Sequence, residues 1–115
     1  MPPNTYHIPS ELLVYKVLAR DSQDRLVSAV VRPPNTVTYP PFQWVKPWQG
    51  HVFCFETLGD AEVFCGRYLE IWEAECSSKT KHILGLDGVD VYSFTLPSGT
   101  VGCPSIRLLR KVRGL

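Results

Sequence analysis

Cysteines are the residues of this chain whose type and spacing first suggest chemistry. Cys54, Cys65 and Cys76 recur at intervals of eleven residues, and Cys103 follows in a segment that contains proline. Zinc sites need close pairs such as C-x-x-C, and the chain contains none. A nucleophilic thiol needs a helix N-terminus or an adjacent cation, and neither is predicted at Cys65 or Cys103. We therefore expect no metal site and no catalytic cysteine.

Two interpretations of the cysteines stay open. Free cysteine behaves as a small hydrophobic residue, which favours structural thiols in the core. The alternative is one or two disulfides among Cys54, Cys65 and Cys76, which would indicate an oxidising compartment or a hyperthermophilic source. The regular interval follows from a predicted strand–helix–strand module, because each element with its connection takes about eleven residues.

No other pattern of residues predicts catalysis. His7, His51 and His82 lie in three different contexts without ligand spacing. Glu73 and Glu75 alternate onto the outward side of a predicted strand, which favours a solvated face over a catalytic pair. The phosphate-binding, dinucleotide-binding, serine-hydrolase and zinc-protease motifs are all missing from the sequence. These observations favour a protein that is not an enzyme and has no cofactor.

The composition is that of an ordinary water-soluble domain. The chain has 115 residues, 44% of them hydrophobic, and a formal net charge of +1, so no overall field selects a nucleic acid or a membrane. No apolar run approaches the roughly 18–20 residues of a membrane span, and the N-terminus lacks the pattern of a secretory signal. We expect one domain over 1–115, with a loosely ordered start over 1–10, no membrane contact and a cytoplasmic location.

The alternation of apolar and polar residues predicts about six strands. The first two, joined by the turn sequence "DSQD", form a hairpin. In the last strand we expect Ile106, Leu108 and Val112 to face inward and Arg107, Lys111 and Arg113 to face outward. The predicted strands cover 11–20, 25–31, 51–55, 70–76, 89–96 and 105–113, with a short additional strand considered at 37–39.

One helix is predicted over about 57–68. Thr57 can cap it, with Asp60 in its first turn, and apolar residues then repeat at steps of three and four. The fold class is therefore α+β: a curved, mostly antiparallel sheet packed on a single main helix. The apolar stripe consists of Leu58, Ala61, Phe64, Cys65 and Tyr68.

The segment "YPPFQWVKPWQG" is the best candidate for a binding site. It places Tyr39, Phe42, Trp44 and Trp48 within ten residues, on a stretch that proline keeps out of a central strand. Tryptophan and tyrosine dominate interaction hot spots, and binding residues concentrate on loops. The alternative is that one or both tryptophans fold back and cap an open end of the sheet.

A second candidate is the basic C-terminal strand, which carries Arg107, Arg110, Lys111 and Arg113 without an acidic residue. These side chains could contact the phosphates of a nucleic acid. They could equally pair with the acidic face of 70–76 across neighbouring strands, and the near-neutral net charge favours this pairing.

The stretches "VFCFETLGDAEVFC" and "LEIWEAEC" resemble a recurring small α+β domain of uncharacterised bacterial, archaeal and viral proteins. The pattern is a helix of the form F-x-T-L-x-D-A-x-x-F followed by a strand of the form I-W-E-A-E. The same strand–helix–strand resembles one portion of the ADP-ribosyltransferase-like fold. That resemblance implies an NAD site, for which Arg20, Ser28 and Glu73 are the nominated residues.

Three hypotheses for function result. The first is a small non-enzymatic interaction module that binds an unknown protein partner, or itself through an exposed strand edge, by way of the loop 39–50. The second is an NAD-binding or degenerate ADP-ribosyltransferase-like protein. The third is a nucleic-acid-binding accessory protein that uses the basic C-terminal strand.

Overall fold

The computed structural model describes residues 8–29, 36–66, 69–85, 90–91 and 96–114. Within these ranges one α-helix, α1, spans Leu58–Phe64, and a short 3-10 turn at Ser10–Leu12 leads into the first strand. The strands are β1 (Leu13–Arg20), β2 (Leu26–Ser28), β3 (Trp44–Val45), β4 (Val52–Phe55), β5 (Glu70–Cys76), β6 (Ile83–Leu84), β7 (Asp90–Val91), β8 (Thr100–Cys103) and β9 (Ile106–Arg113).

Seven of the described strands form one antiparallel sheet. Its order is β3-β9-β5-β1-β4-β8, and β2 pairs with the end of β1 beside β4. The strands β6 and β7 form a separate two-stranded ribbon. A mostly antiparallel sheet with one helix confirms the predicted α+β class for the described part of the chain.

The link between β8 and β9 requires this sheet to curl. The two strands lie four positions apart in the sheet order, which would separate them by roughly 19 Å if the sheet were flat. Only Pro104 and Ser105 join Cys103 to Ile106, and three Cα–Cα steps span at most about 11 Å. The sheet therefore bends until β8 and the start of β9 meet, and one of its faces becomes concave.

The concave side, here called the inner face, holds the larger hydrophobic core. Val14 and Leu18 of β1 lie there with Trp72 and Ala74 of β5. Cys54, Cys76 and Cys103 also belong to this core and are 0% exposed. Small side chains suit the inside of a tight curl, where the space between strands is narrowest. Further members of the core are Leu26, Tyr39, Val52, Val101, Ile106 and Leu108.

The opposite, convex side, here called the outer face, is partly covered by α1. Thr57 caps the helix, since its Oγ1 accepts a hydrogen bond from the Asp60 backbone N–H at 3.1 Å and donates one to the Asp60 carboxylate at 2.9 Å. Ala61 lies on the side of α1 that faces the sheet and is fully buried. The Phe55 and Phe64 rings contact each other with centroids 5.3 Å apart. The predicted cap is confirmed.

The helix is shorter than predicted. It ends at Phe64 because Cys65 already has extended backbone angles, φ −68° and ψ 126°, and glycine follows at position 66. A helix over 57–68 was therefore wrong at its C-terminal end, and residues 67–68 lie outside the described residues. Within 37–39 the structure has only an isolated bridge, between Val27 and Thr38, so the short additional strand considered there was also wrong.

Three short strands were missed, and parts of other predictions fall outside the described residues. No strand was predicted at 44–45, 83–84 or 100–103. The strands β3 and β8 are extended through pairing with distant segments, and β6 is extended through pairing with β7. The start of the chain over 1–7, the end of the second predicted strand at 30–31 and residues 89 and 92–95 of the sixth lie outside the described residues.

Burial of the cysteines predicts a clear labelling pattern. A small alkylating reagent should modify Cys65 alone in the native protein, because the other three thiols are 0% exposed and Cys65 is only partly buried. Burial raises the pKa of the Cys65 thiol, so its reaction should be slower than that of a free cysteine. Mass spectrometry after timed quenching measures this.

The remaining cysteines should react only as fast as the protein unfolds. Under denaturing, non-reducing conditions all four should be modified, since the structure holds them as free thiols. A second rapidly labelled thiol in the native protein would contradict the core described above, and incomplete labelling of the unfolded chain would indicate a disulfide.

Candidate interaction site

The segment 39–50, here called the aromatic loop, is clamped at both sides of its first turn. The Tyr39 backbone N–H donates to the Leu26 carbonyl oxygen at 2.8 Å, and the Phe42 N–H donates to the Leu108 carbonyl oxygen at 3.0 Å. After this turn, β3 pairs with Ile106 and Arg107 at the outer edge of β9. The loop therefore crosses from β2 to β9 and covers only the beginning of that edge.

Tyr39 is buried and anchors the loop. Its side chain is 2% exposed within the inner core, and the Lys16 Nζ lies 5.6 Å from the centre of its ring. Burial raises the pKa of the Tyr39 hydroxyl above its ordinary value. Of the four aromatic residues predicted to bind, Tyr39 is thus placed where it positions the loop and does not face solvent.

The other three aromatic side chains of the loop face solvent. Phe42 is 69% exposed, Trp44 48% and Trp48 86%. In the described residues the structure has four exposed large hydrophobic side chains, and only the fourth, Val63 on α1, lies outside this loop. The aromatic loop therefore concentrates the exposed apolar surface of the described chain.

Phe42 also has a strained backbone. Its φ is +69°, in the left-handed region, which costs a residue other than glycine about 1–3 kcal/mol. The hydrogen bond from its N–H to Leu108 holds this conformation. The consequence is an aromatic ring that points away from the core at the junction between the loop and β9.

Trp44 belongs to a row of side chains across the outer face. The Arg107 guanidinium carbon lies 5.3 Å from the centre of the Trp44 ring. The same guanidinium donates from Nη2 to the Glu75 Oε1 at 2.6 Å. Because Arg107 is held by a carboxylate on β5, it offers a fixed cationic surface on which the indole of Trp44 stacks.

The other basic residues of β9 also lie near carboxylates. The Arg110 Nε is 3.5 Å from the Glu73 Oε1, and the Arg113 Nη1 is 3.6 Å from the Glu62 Oε2 on α1. The contacts of Arg107 and Arg110 with β5 confirm the predicted cross-strand pairing.

Bulges change the predicted sides of β9. Its register with β5 shifts twice, and the extra residues are Leu109 and Val112. Lys111 consequently lies opposite Trp72, at the rim of the inner face, and Val112 packs against the outer cluster beside α1. The predictions that Lys111 points outward and Val112 inward were wrong, because a strict two-residue alternation does not hold across bulges.

The three residues nominated for an NAD site do not lie on one face. Ser28 pairs with Leu18, and Arg20 follows on the same inner side of β1, whereas Glu73 pairs with Tyr15 on the outer face. Arg20 is held in a bidentate contact by Glu70, at 2.7 and 3.2 Å. The cleft beside Arg20 has a volume of about 210 Å³, below the roughly 300–1,000 Å³ of small-molecule sites.

The inner core contains polar groups whose burial the sequence did not reveal. Lys16 is 8% exposed, and its Nζ donates to the Phe53 carbonyl oxygen at 2.8 Å. Burial lowers the pKa of Lys16. Hydrogen bonding with Cys54, and then burial, raises the pKa of the neighbouring Cys103 thiol. Among the described residues no cluster of histidine, cysteine and carboxylate side chains can hold a metal ion.

Comparison with known proteins adds no family. No protein-family model, curated protein or solved structure matches the chain. The described residues include no helix that is long and apolar enough to cross a membrane.

The exposed tryptophans should contribute little to stability. Trp48→Ala should leave the free energy of unfolding within about 0.5 kcal/mol of the wild type, since the ring is 86% exposed. Trp44→Ala should cost about 1–2 kcal/mol, because it removes a half-buried ring and its contact with Arg107. Urea denaturation followed by circular dichroism measures both.

A buried ring provides the scale for this measurement. Phe55→Ala should cost about 3–5 kcal/mol, as Phe55 is 5% exposed beneath α1. Losses of that size for both tryptophan variants would show that the rings close the sheet.

The burial of Lys16 predicts that the difference in free energy of unfolding between the wild type and Lys16→Met depends on pH. Burial lowers the pKa of Lys16 in the folded protein below its ordinary value of 10.5. At a pH between the folded-state pKa and 10.5, the unfolded chain therefore binds more protons than the folded protein. The lysine's penalty to stability is therefore full below the folded pKa and disappears as the pH rises to about 10.5. Lys16→Met removes this penalty, so the free energy of unfolding of the variant, relative to wild type, should fall as the pH rises from neutral towards 10.5.

Taking the difference between two proteins cancels the ionisation of groups that Lys16 does not influence. Because Cys54 and Cys103 interact electrostatically with Lys16, both proteins also carry Cys54→Ala and Cys103→Ala. Denaturation curves over this pH range measure it, and Lys46→Met, which removes an exposed lysine, controls for loss of the charge. A difference that does not change with pH would show that Lys16 is not buried.

Proposed function

We propose that this protein is a small non-enzymatic interaction module that contacts a protein partner through the aromatic loop. The observation that carries the proposal is the exposure of Phe42, Trp44 and Trp48 on one clamped segment. Large, stiff aromatic side chains supply contact area at little entropic cost, and they dominate binding energy at interfaces.

The anchoring of the loop supports this proposal. Tyr39 in the core, the Phe42–Leu108 hydrogen bond and the pairing of β3 with β9 hold the chain before and between Phe42 and Trp44. After Trp48, the His51 N–H donates to the Leu84 carbonyl oxygen at 2.9 Å and holds the other end of the loop. The strained backbone of Phe42 is a second supporting feature, since such strain concentrates at functional positions. A preformed surface loses less conformational freedom when the partner binds.

Neither alternative function gains support from a specific contact. For a nucleic-acid interface, the arginines of β9 form a single row that alternates with carboxylates of β5 and α1, and the net charge of the chain is only +1. The face therefore lacks the broad positive surface that follows a phosphate backbone. For an NAD site, Arg20 and Glu73 lie on different faces of the sheet. The interaction module is therefore the function that the geometry favours.

The test compares the wild type with Trp48→Ser, immobilised as baits in an extract of the organism that encodes the protein. Quantitative mass spectrometry identifies the proteins retained, and sedimentation equilibrium measures self-association. We expect at least one partner, or the self-associated form, to be lost in Trp48→Ser and in Phe42→Asn.

Val63→Ser is the matched control, because Val63 is 89% exposed but lies on α1, outside the loop. It should retain what the wild type retains. If every retained protein and the oligomeric state are the same in all four baits, the aromatic loop is not the contact surface.

A further inference from the structure

The described strands occupy only part of the outer edge of β9. The strand β3 pairs with Ile106 and Arg107, and Phe42 bonds to the Leu108 carbonyl oxygen. From Leu109 to Arg113, no described strand pairs with this side of β9. Such an edge can accept an added strand from another chain.

The side chains along this edge carry positive charge. Arg110 and Arg113 both lie on the outer face, opposite Glu73 and Ile71 of β5. Their side chains are 70% and 49% exposed, and their carboxylate partners are 3.5 and 3.6 Å away. Exposed ion pairs of this length are weak, so both guanidinium groups can bind a further acidic side chain.

This charge disfavours a second copy of the chain as the occupant. Antiparallel pairing of two β9 strands would bring their basic segments, Arg110 to Arg113, next to each other. Like charges on directly opposed strand positions are destabilising. The bulges at Leu109 and Val112 further hinder pairing with a regular strand of the same kind.

The open edge begins where the aromatic loop ends its contact with β9. Phe42 bonds to Leu108, next to Leu109, the first position of this edge without a described strand partner, and Trp44 stacks on Arg107 one residue before Leu108. A peptide strand lying beside residues 109–113 would continue the line of β3. One end of such a strand would meet the exposed ring of Phe42, and its outer-face side chains would meet Arg110 and Arg113.

We propose that the partner presents an extended acidic segment, which adds to the edge of β9 as a β-strand with acidic side chains on the outer face and an apolar or proline residue against Phe42. This inference rests on the proposed function, because it specifies the partner of the same loop. Backbone hydrogen bonds hold the segment, and the two arginines select its charge.

The probe is a peptide of eight residues, the length of β9, labelled with fluorescein at its N-terminus. Alternating glutamate and valine are followed by phenylalanine and proline at the C-terminal end, because a strand in line with β3 runs antiparallel to β9 and meets Phe42 with that end. Fluorescence anisotropy measures its affinity for the intact protein. We expect binding that weakens with added salt, and at least about tenfold weaker binding for the same peptide with lysine in place of glutamate.

Two matched changes test the geometry. Methylation of alternate peptide nitrogens keeps the side chains but removes backbone donors, and should weaken binding at least about tenfold. Arg110→Gln with Arg113→Gln should weaken binding of the glutamate peptide by a similar factor. Arg25→Gln, at the exposed turn between β1 and β2, is the control and should leave the affinity unchanged.

Three outcomes would overturn the strand-addition proposal. The glutamate and lysine peptides could bind with equal affinity, neither peptide could bind, or binding could stay unchanged when either alternate set of peptide nitrogens is methylated. These outcomes are distinct from failure of the proposed function. Loss of a partner in Trp48→Ser would still assign the contact to the aromatic loop, bound then by a surface other than an acidic strand.

Discussion

The two-residue link between β8 and β9 is the constraint on which the rest of the structure depends. It joins strands four positions apart in the sheet, and only a strongly curled sheet brings their ends within reach. The corner is fixed by hydrogen bonds from the Ser77 N–H to the Ser105 carbonyl oxygen, at 3.1 Å, and between the two serine hydroxyls, at 3.0 Å. These contacts tie the residue after β5 to the residue before β9.

The curl explains which side chains occupy each face. On the concave side the strands converge, and the core there includes three small thiols and Ala74. Lys16 reaches this core from β1, with its amine on the Phe53 carbonyl oxygen and beside the Tyr39 ring. On the convex side the short helix α1 covers the region around Ile71 and Phe55. Beyond the helix the same face carries the charged row formed by β5 and β9, which can remain in contact with water.

The local elements could be predicted from the sequence where the signal lies within one segment. Strict alternation defined β5 with the bounds that the structure has, and the cap at Thr57 was visible in its residue type and position. Long-range contacts left no such signal. The strands β3 and β8 are extended through pairing with distant segments, and burial of Lys16 follows from the curl. In the candidate site the four aromatic residues are chemically alike, and hydrogen bonds to Leu26 and Leu108 decide that Tyr39 is buried and Phe42 exposed.

The bulges of β9 connect the curl to the proposed binding surface. Without the extra residue Leu109, Arg107 and Arg110, which are three positions apart, would point to opposite faces. With it, they lie opposite Glu75 and Glu73, which are two positions apart on β5, and all four share the outer face. The same irregularity lets Leu108 remain in the inner core. A bulged and positively charged edge disfavours pairing with a second copy of the same edge, whereas exposed hydrophobic edges favour such pairing. The aromatic loop covers only the first part of that edge. Among the described residues, the curl, the bulges and the loop together therefore leave a short, basic strand edge next to Phe42 and Trp44.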